Sequence, residues 1–320
     1  MIVLHYKLNR GRNHVLSEST KGVLFALGAY LVWGFMPIYW KQIEAVSSYE
    51  IIAHRVLWAF VFMLLLIIVI GRWFYFKEDL KFIFSNKKKV IALFFASMAI
   101  TSNWLVYIIA VNSGNILDAS LGYYINPLIS ILIGFIILGE RFSKIGWIAI
   151  LVVAIGVVYM TAGLGSAPWI SFYLAVSFSV YGLIKKMINL DAIYAMAVET
   201  FVLAPFALIY ILYLGFSGAG DFGLNTESIW MVGTGLATVV PLLLFSLGVQ
   251  KIRLSLIGFL QYFAPTIMLI IGVFMYDEAF TRVHQVAYIF IWGGLILYSV
   301  NRYFAMRNEN RRIARRRIEN

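Results

Sequence analysis

The chain has 320 residues, of which 62% are hydrophobic and only 13% are charged. Soluble domains carry roughly a quarter charged residues, so this composition excludes a water-soluble globular protein. The net charge is +11, but Lys and Arg lie between apolar segments and in a tail, which excludes a polar domain that binds nucleic acid. Cysteine is absent, which excludes disulfides, thiol catalysis and thiolate metal ligands.

Apolar segments of about the 20 residues that a membrane-spanning helix needs follow one another along the chain. Residues 1–21 are mixed and basic, lack the features of a signal peptide and are expected to be cytoplasmic. The connection at residues 72–89 mixes aromatic residues with Lys and is expected to lie along the membrane surface. The other connections are short, which predicts one compact bundle. The ten predicted spans are residues 22–41, 50–71, 90–111, 117–138, 145–163, 167–185, 192–214, 229–249, 254–276 and 284–304.

The distribution of Lys and Arg predicts that both ends of the chain are cytoplasmic. With that orientation nearly all basic residues fall on the cytoplasmic side, while Lys41 and Arg282 lie outside and Arg55 lies within a helix. Basic residues concentrate in cytoplasmic loops, and an odd number of helices would spoil this alternation. The basic tail fits a topology signal that is also attracted to anionic lipid; a specific partner for it stays open.

The fourth predicted span is repeated later in the chain: residues 117–142 recur, diverged, as residues 255–280. Because the repeating unit has five helices, an odd number, the second copy enters the membrane from the opposite side. Such an inverted-topology repeat lets one central site face each side in turn. Aligned pairs include Glu50 with Glu199, Asn103 with Pro241, Tyr124 with Tyr262, Pro127 with Pro265, Glu140 with Glu278, Lys144 with Arg282, Ala149 with Ala287 and Gly156 with Gly294.

The repeat divides the chain into four parts. Residues 1–21 form a cytoplasmic segment, residues 22–163 the first five-helix repeat, residues 164–304 the second, and residues 305–320 a basic cytoplasmic tail. The sequence therefore predicts an all-α integral membrane protein of ten helices in two inverted repeats.

Amide and aromatic side chains inside the spans are the candidate lining of a solute path. An amide within a spanning helix must find partners or water, and a proline frees a carbonyl and bends its helix. Bent helices beside amides expose polar backbone to a transporter cavity, although a packing kink or interfacial anchoring stays the alternative for each residue. The candidates are Tyr30, Trp33, Asn103, Trp104, Tyr107, Tyr123, Tyr124, Asn126, Tyr181, Gln261 and Tyr262, with helix kinks at Pro127, Pro241 and Pro265.

Arg55 and Glu199 are ionisable residues inside predicted spans. Such residues are functional by default, which makes both candidates for charge recognition or proton coupling. The alternatives are snorkelling to the interface, an Arg–Glu pair, or pairing of Arg55 with Glu50. Asp118 is expected to cap a helix, and Glu278 to organise a turn, as is its repeat partner.

Catalytic chemistry has little support. The four His residues are scattered without metal-ligand spacing, and no phosphate-binding loop is present. We therefore expect no enzyme, no metal and no cofactor.

Several stretches resemble the drug/metabolite transporter superfamily with its paired EamA domains, in the RarD branch of bacterial permeases. They include YLVWGFMPIYWK (residues 30–41), EIIAHRVLW (50–58), SNWLVYIIAVN (102–112), LDASLGYYINPL (117–128) and GFLQYFAPT (258–266). The resemblance covers essentially the full length apart from the two tails. It implies export of small organic metabolites or drugs across the bacterial cytoplasmic membrane, with the first, third, fourth, sixth, eighth and ninth spans lining the path.

The sequence thus predicts a secondary transporter that works by alternating access. Its expected partners are a small organic solute and membrane lipid. A proton as coupling ion, and a monomeric or homodimeric state, stay open. A non-transporting receptor or scaffold is the alternative, although it would need neither an inverted repeat nor amides in the membrane, and an enzyme on lipid-linked substrates is a third.

Overall fold

The computed structural model describes residues 18–139, 143–188, 192–249, 251–252 and 260–319. The regular secondary structure of these residues is entirely helical. The helices are α1 (Glu18–Lys41), α2 (Ser48–Val69), α3 (Trp73–Phe84), α4 (Lys87–Asn112), α5 (Ile116–Leu138), α6 (Lys144–Leu164), α7 (Trp169–Ile188), α8 (Ala192–Ser217), α9 (Thr226–Val249), α10 (Phe263–Met275) and α11 (Arg282–Glu319).

Most predicted spans coincide with a helix. Within the described residues, eight helices are long and apolar enough to cross a membrane: α1, α2, α4, α5, α6, α8, α9 and α11. Helix α7 is also apolar but falls short of that criterion. In the predicted span 254–276, residues 263–275 form α10, and residues 254–259 lie outside the described part of the chain. The fold is that of a multi-pass membrane protein.

Helices α3 and α11 include residues for which the sequence predicted no helix. The connection expected at the membrane surface forms α3, which buries Phe76 and Ile83 and exposes Phe74 and Tyr75, a distribution that suits an interfacial helix. Helix α11 continues past its predicted end through the basic tail. The tail contains no Gly or Pro after Arg302, so nothing in it favours ending the helix.

Two glycines end neighbouring helices sharply. Gly139 follows α5 with φ 65° and Gly165 follows α6 with φ 72°. This left-handed conformation is strained for residues with a Cβ, and glycine is the usual residue at a helix C-terminus for that reason.

Helices α6 and α11 pack closely and run antiparallel. A Cβ on Gly156 would lie 2.8 Å from the carbonyl oxygen of Ala287, and one on Gly294 would lie 2.8 Å from that of Ala149. The earlier contact residue of α6 therefore meets the later contact residue of α11, and the reverse. Small residues at such a crossing let two backbones approach, which is how membrane helices gain packing energy.

Helices α5 and α10 also run antiparallel. The Ser120 hydroxyl donates to the carbonyl oxygen of Pro265 at 2.7 Å. Later in α10, a Cβ on Gly272 would lie 2.7 Å from a methyl carbon of Leu117. The other main packing pairs are α1 with α9 and α10, α7 with α4 and α5, and α2 with α8 and α9.

Two carboxylates bind backbone amides of distant elements. Glu278 accepts from the N–H groups of Ile116 and Leu117 at 2.6 and 2.8 Å. It therefore caps α5 from across the bundle, the role that the sequence assigned to Asp118, and its repeat partner Glu140 lies outside the described residues. Glu50 accepts from the N–H groups of Asp221 and Phe222 at 3.0 and 3.2 Å.

Candidate solute-binding site

Arg55 lies in the second turn of α2 and is only 6% exposed. Its guanidinium carbon lies 4.2 Å from the ring centre of Trp104 and 5.0 Å from that of Trp40. Its Nε donates to the Thr238 hydroxyl at 3.0 Å, while its Nη1 has no hydrogen-bond partner among the described residues. The geometry thus holds a cation against two aromatic rings with part of its donor capacity unused.

Four helices converge on this cation. Arg55 comes from α2, Trp40 from the last turn of α1, Trp104 from α4 and Thr238 from α9. The Thr238 hydroxyl donates its own proton to the carbonyl oxygen of Thr234 at 2.9 Å, so its lone pair is free to accept from Arg55. The arginine is thereby fixed in place with no charged partner in the part of the chain that the structure describes.

An aromatic line extends from this region toward Glu199. Tyr107 and Tyr123 lie within electrostatic range of the Arg55 guanidinium and contact each other edge to face, with ring centres 5.8 Å apart. Tyr123 contacts Phe178, which contacts Tyr181. The Tyr181 hydroxyl then donates to Glu199 at 3.0 Å.

Glu199 is itself buried, at 2% exposure. The described part of the chain contains no Arg55–Glu199 ion pair and no Arg55–Glu50 ion pair, so both pairings that the sequence left open are absent there. The two ions occupy opposite ends of one aromatic line, and their roles in charge recognition or coupling stay predictions.

Asn103 and Asn126 both attach α7 to its neighbours. The Asn103 amide donates to the carbonyl oxygen of Leu174 and to the Ser177 hydroxyl, both at 2.9 Å. The Asn126 amide donates to the carbonyl oxygen of Ala175 at 3.0 Å and to the Ser179 hydroxyl at 2.9 Å. Both amides therefore find the partners that an amide within the membrane needs, and those partners lie on a neighbouring helix. Contact of either amide with a solute stays a prediction.

Tyr124 and Tyr262 stack on each other, with ring centres 6.3 Å apart and an interplanar angle of 18°. Although Tyr123 and Tyr124 are adjacent in sequence, Tyr123 contacts α4 and α7, whereas Tyr124 contacts α10 and α11. Gln261 is partly buried in the turn before α10. A cavity of about 340 Å³ beside the stack is lined by Tyr124, Tyr262, Thr266, Trp292, Leu295, Ile296 and Ser299.

Tyr30 and Trp33 form a separate cluster with Phe245 of α9, with ring centres 5.5 to 5.9 Å apart. The sequence-predicted residues therefore fall into three groups rather than one: the Arg55 line, the Tyr124–Tyr262 stack and this cluster.

The predicted prolines occupy different positions in their helices. Pro127 and Pro241 lie within α5 and α9. Pro265 is instead the third residue of α10, where a missing N–H removes no hydrogen bond within the helix.

Trp40 and Thr238 were missed from the sequence. Trp40 precedes Lys41 at the end of a span, a position typical of interfacial anchoring, and a Thr within a helix carries no particular signal. The signal that was available was Arg55 itself, because a buried arginine requires partners. Within the described residues, no group of three or more His, Asp or Glu side chains could hold a metal ion.

Comparison with known proteins identifies the family. Residues 20–162 match the EamA-like transporter family. An uncharacterized transporter of Vibrio cholerae is 39% identical over 286 residues, which cover 89% of this chain and 93% of the relative. The chain belongs to the EamA-like transporter family. The protein RarD of Escherichia coli is 38% identical over 92% of this chain and 99% of its own length, which confirms the resemblance to the RarD branch.

More distant similarities extend to one further relative and to the fold of a solved structure. A Pseudomonas aeruginosa protein named chloramphenicol-sensitive protein RarD is 24% identical over 92% of this chain and 98% of its own length. One solved crystal structure shares the fold, with a TM-score of 0.58 at 16% identity over 87% of this chain and 97% of that one. The EamA family member described here is therefore a membrane transporter of the drug/metabolite type, a multi-pass protein of the bacterial cytoplasmic membrane.

Proposed function

We propose that this protein is a secondary transporter that exports small organic solutes by alternating access. In this proposal ten spanning helices form two inverted five-helix repeats, both termini are cytoplasmic, and the solute binds between the repeats. Helices α1, α4, α5, α7, α9 and α10 line the path. Export rests on the family likeness, and Glu199 is the candidate for proton coupling because it is an acidic side chain buried within the bundle.

The crossing of α6 and α11 carries the proposal. In the sequence repeat, Ala149 aligns with Ala287 and Gly156 aligns with Gly294. In the structure, Gly156 meets Ala287 and Gly294 meets Ala149. If each residue is replaced by its repeat partner, the Gly156–Ala287 contact becomes the Gly294–Ala149 contact, and the reverse. Equivalent helices that cross antiparallel in this way are what a two-fold axis in the membrane plane requires.

The remaining packing supports the same symmetry. The aligned residues Tyr124 and Tyr262 stack on each other, and their helices α5 and α10 are antiparallel. Helix α1 packs against α9 and α10, while its equivalent α7 packs against α4 and α5, the equivalents of those two helices. A non-transporting receptor has no need for such an exchange of contacts.

The two carboxylate contacts fit a conformation that is closed on one side. With cytoplasmic termini, Glu50 and Glu278 both lie at the outer face. Glu50 of the first repeat holds the connection before α9, and Glu278 of the second repeat holds the start of α5. Each contact joins the two repeats, and both would have to break for the site to open outward.

Transport by purified protein in liposomes tests the proposal. The panel contains chloramphenicol, suggested by the name of one relative, together with neutral, anionic and cationic metabolites. We expect at least one solute to cross faster than in protein-free liposomes. Trp104→Ala and Asn103→Ala should each slow that flux at least severalfold while the protein stays folded.

The control is Trp169→Ala, because Trp169 is 74% exposed at the start of α7, and its loss should leave the flux unchanged. Transport of no panel member above the protein-free rate would contradict the proposal. Saturable binding without transport would favour the receptor alternative.

A further inference from the structure

We propose that Arg55 is the anion-recognition residue of this transporter, and that its substrates are small organic anions with an aromatic or apolar body. In this arrangement the carboxylate or phosph(on)ate group of the solute binds the unused edge of the guanidinium, and its body lies against Trp40 and Trp104. The inference rests on the proposed transport function and adds the substrate class to it.

The guanidinium has no counter-charge among the described residues. A buried cation is costly unless it is paired, yet no described carboxylate lies within ion-pair distance of Arg55. Glu50 is held by the amides of Asp221 and Phe222, and Glu199 accepts from Tyr181. The two carboxylates that the sequence offered as partners are therefore engaged elsewhere.

The groups that face the guanidinium stabilise it without neutralising it. Trp40 of α1 and Trp104 of α4 lie against it, and Thr238 of α9 accepts a hydrogen bond from it. Tyr39 of α1, Tyr107 of α4 and Tyr123 of α5 lie within electrostatic range of it. Aromatic faces attract a cation through their quadrupole, and the Thr238 hydroxyl accepts one hydrogen bond. None of these groups carries a negative charge at neutral pH.

The free donors have the geometry of an anion site. A guanidinium has five N–H donors in a planar fork that matches two oxygens of a carboxylate or phosphate. Thr238 uses the Nε donor, and Nη1 is buried without a partner. The rings of Trp40 and Trp104 lie 5.0 and 4.2 Å from the guanidinium carbon, and Nη1 still lacks a hydrogen-bond partner among the described residues, so its donors are what a solute would bind. Arg suits this task better than Lys because the fork is fixed.

The site also departs from the repeat symmetry. Because Glu50 aligns with Glu199, Arg55 falls opposite Ala204 in the second repeat. Trp104 likewise falls opposite Leu242, in the alignment that pairs Asn103 with Pro241. The second repeat therefore forms the same five-helix unit without an arginine or a tryptophan at the aligned positions. Residues that only one repeat has are suited to recognising a particular solute rather than to building the fold.

The location fits a site that the solute shares between the two repeats. Arg55, Trp40 and Trp104 belong to the first repeat, and Thr238 belongs to the second. A movement of one repeat against the other would change the Arg55–Thr238 contact, and with it the guanidinium edge that is offered to the solute.

Ligand-dependent thermal unfolding of the purified full-length protein tests this inference. The probes share one body and differ in charge: phenylacetate and benzylphosphonate are anions, phenylacetamide is neutral and 2-phenylethylamine is a cation. We expect at least one anion to raise Tm, with no rise from the amide or the amine. A comparison of the Tm rise with phenylacetate and with benzylphosphonate shows whether the site prefers a carboxylate or a phosphonate.

Variants then assign the effect to Arg55. Arg55→Gln should weaken anion binding at least tenfold, and Arg55→Lys should retain part of it because the charge stays while the fork is lost. Arg282→Gln is the matched control, since Arg282 is exposed at the start of α11, and it should bind the anion as the parent does.

The Tm without ligand separates recognition from a structural role. A buried charge without a charged partner is costly, so Arg55→Gln should unfold at the parent's Tm or above it. Where Arg55→Gln cannot be purified folded, Thr238→Val replaces it. This variant keeps the charge but removes its anchor, and should weaken anion binding severalfold.

Three results would overturn the inference: no Tm rise with either anion, an equal rise with phenylacetamide, or a rise that persists unchanged in Arg55→Gln. Its failure can be told apart from failure of the transport proposal. Flux of neutral solutes without anion binding would support the transport proposal and contradict the anion site. Anion binding without flux of any solute would support the anion site and contradict the transport proposal.

Discussion

At the start of α5, the backbone amides of Ile116 and Leu117 are bound by the carboxylate of Glu278 at 2.6 and 2.8 Å. The first amides of a helix have no partner within it, and the helix dipole favours a negative charge there. The sequence identified Glu278 as a repeated residue but assigned it to the turn that follows its own helix. The sequence did not show that Glu278 binds the amides of Ile116 and Leu117, because this contact joins segments that are far apart in the chain.

A single substitution tests this cap. Glu278→Gln should lower the free energy of unfolding by about 1–3 kcal/mol, because it removes the charge from two charge-assisted hydrogen bonds. Thermal or denaturant unfolding in detergent measures the change. Asp277→Asn is the control: Asp277 is exposed and has φ 53°, a conformation that Asn tolerates. Equal stability of the Glu278→Gln protein and the parent would contradict the assigned role.

At the scale of helices, hydrophobic length predicted where most spans lie, and the equivalence of helices in the two repeats stays a prediction. The contacts between helices were not predictable. Asn103 and Asn126 clearly needed partners, but nothing in sequence indicated that both would bind α7. The second repeat has Pro241 and Ala264 at the equivalent positions, so α1 has no matching amide contacts.

The α6–α11 crossing gives a prediction at this scale. Gly156→Leu and Gly294→Leu should each destabilise the protein by about 1–3 kcal/mol, because the new side chain meets a backbone carbonyl and forces the helices apart. Gly293→Leu is the matched control, since a Cβ at Gly293 meets nothing within 4 Å, and it should change stability by less than about 0.5 kcal/mol. Unfolding in detergent measures all three. Similar effects at Gly293 and Gly294 would be inconsistent with the described crossing.

At the scale of the whole molecule, composition was enough to predict a membrane protein, and the motifs were enough to predict its family. Which predicted residues lie together was not readable from sequence. Tyr123 and Tyr124 contact different helices because neighbouring residues of a helix point in different directions. Trp40 joined the Arg55 site because α1 and α2 meet there, which no local pattern reveals. The same limit applies to Thr238, which binds Arg55 from α9, 183 residues further along the chain.

The inverted repeat is the central claim, and thiol labelling of one repeat-equivalent pair tests it most directly. The chain has no cysteine, so Lys144→Cys and Arg282→Cys each introduce a single thiol at an exposed position. A membrane-impermeant maleimide is applied to right-side-out and inverted vesicles. Ser113→Cys and Ser85→Cys serve as outer and cytoplasmic references. The proposal predicts that Arg282→Cys is labelled only in right-side-out vesicles and Lys144→Cys only in inverted ones; labelling of both from the same side would contradict it.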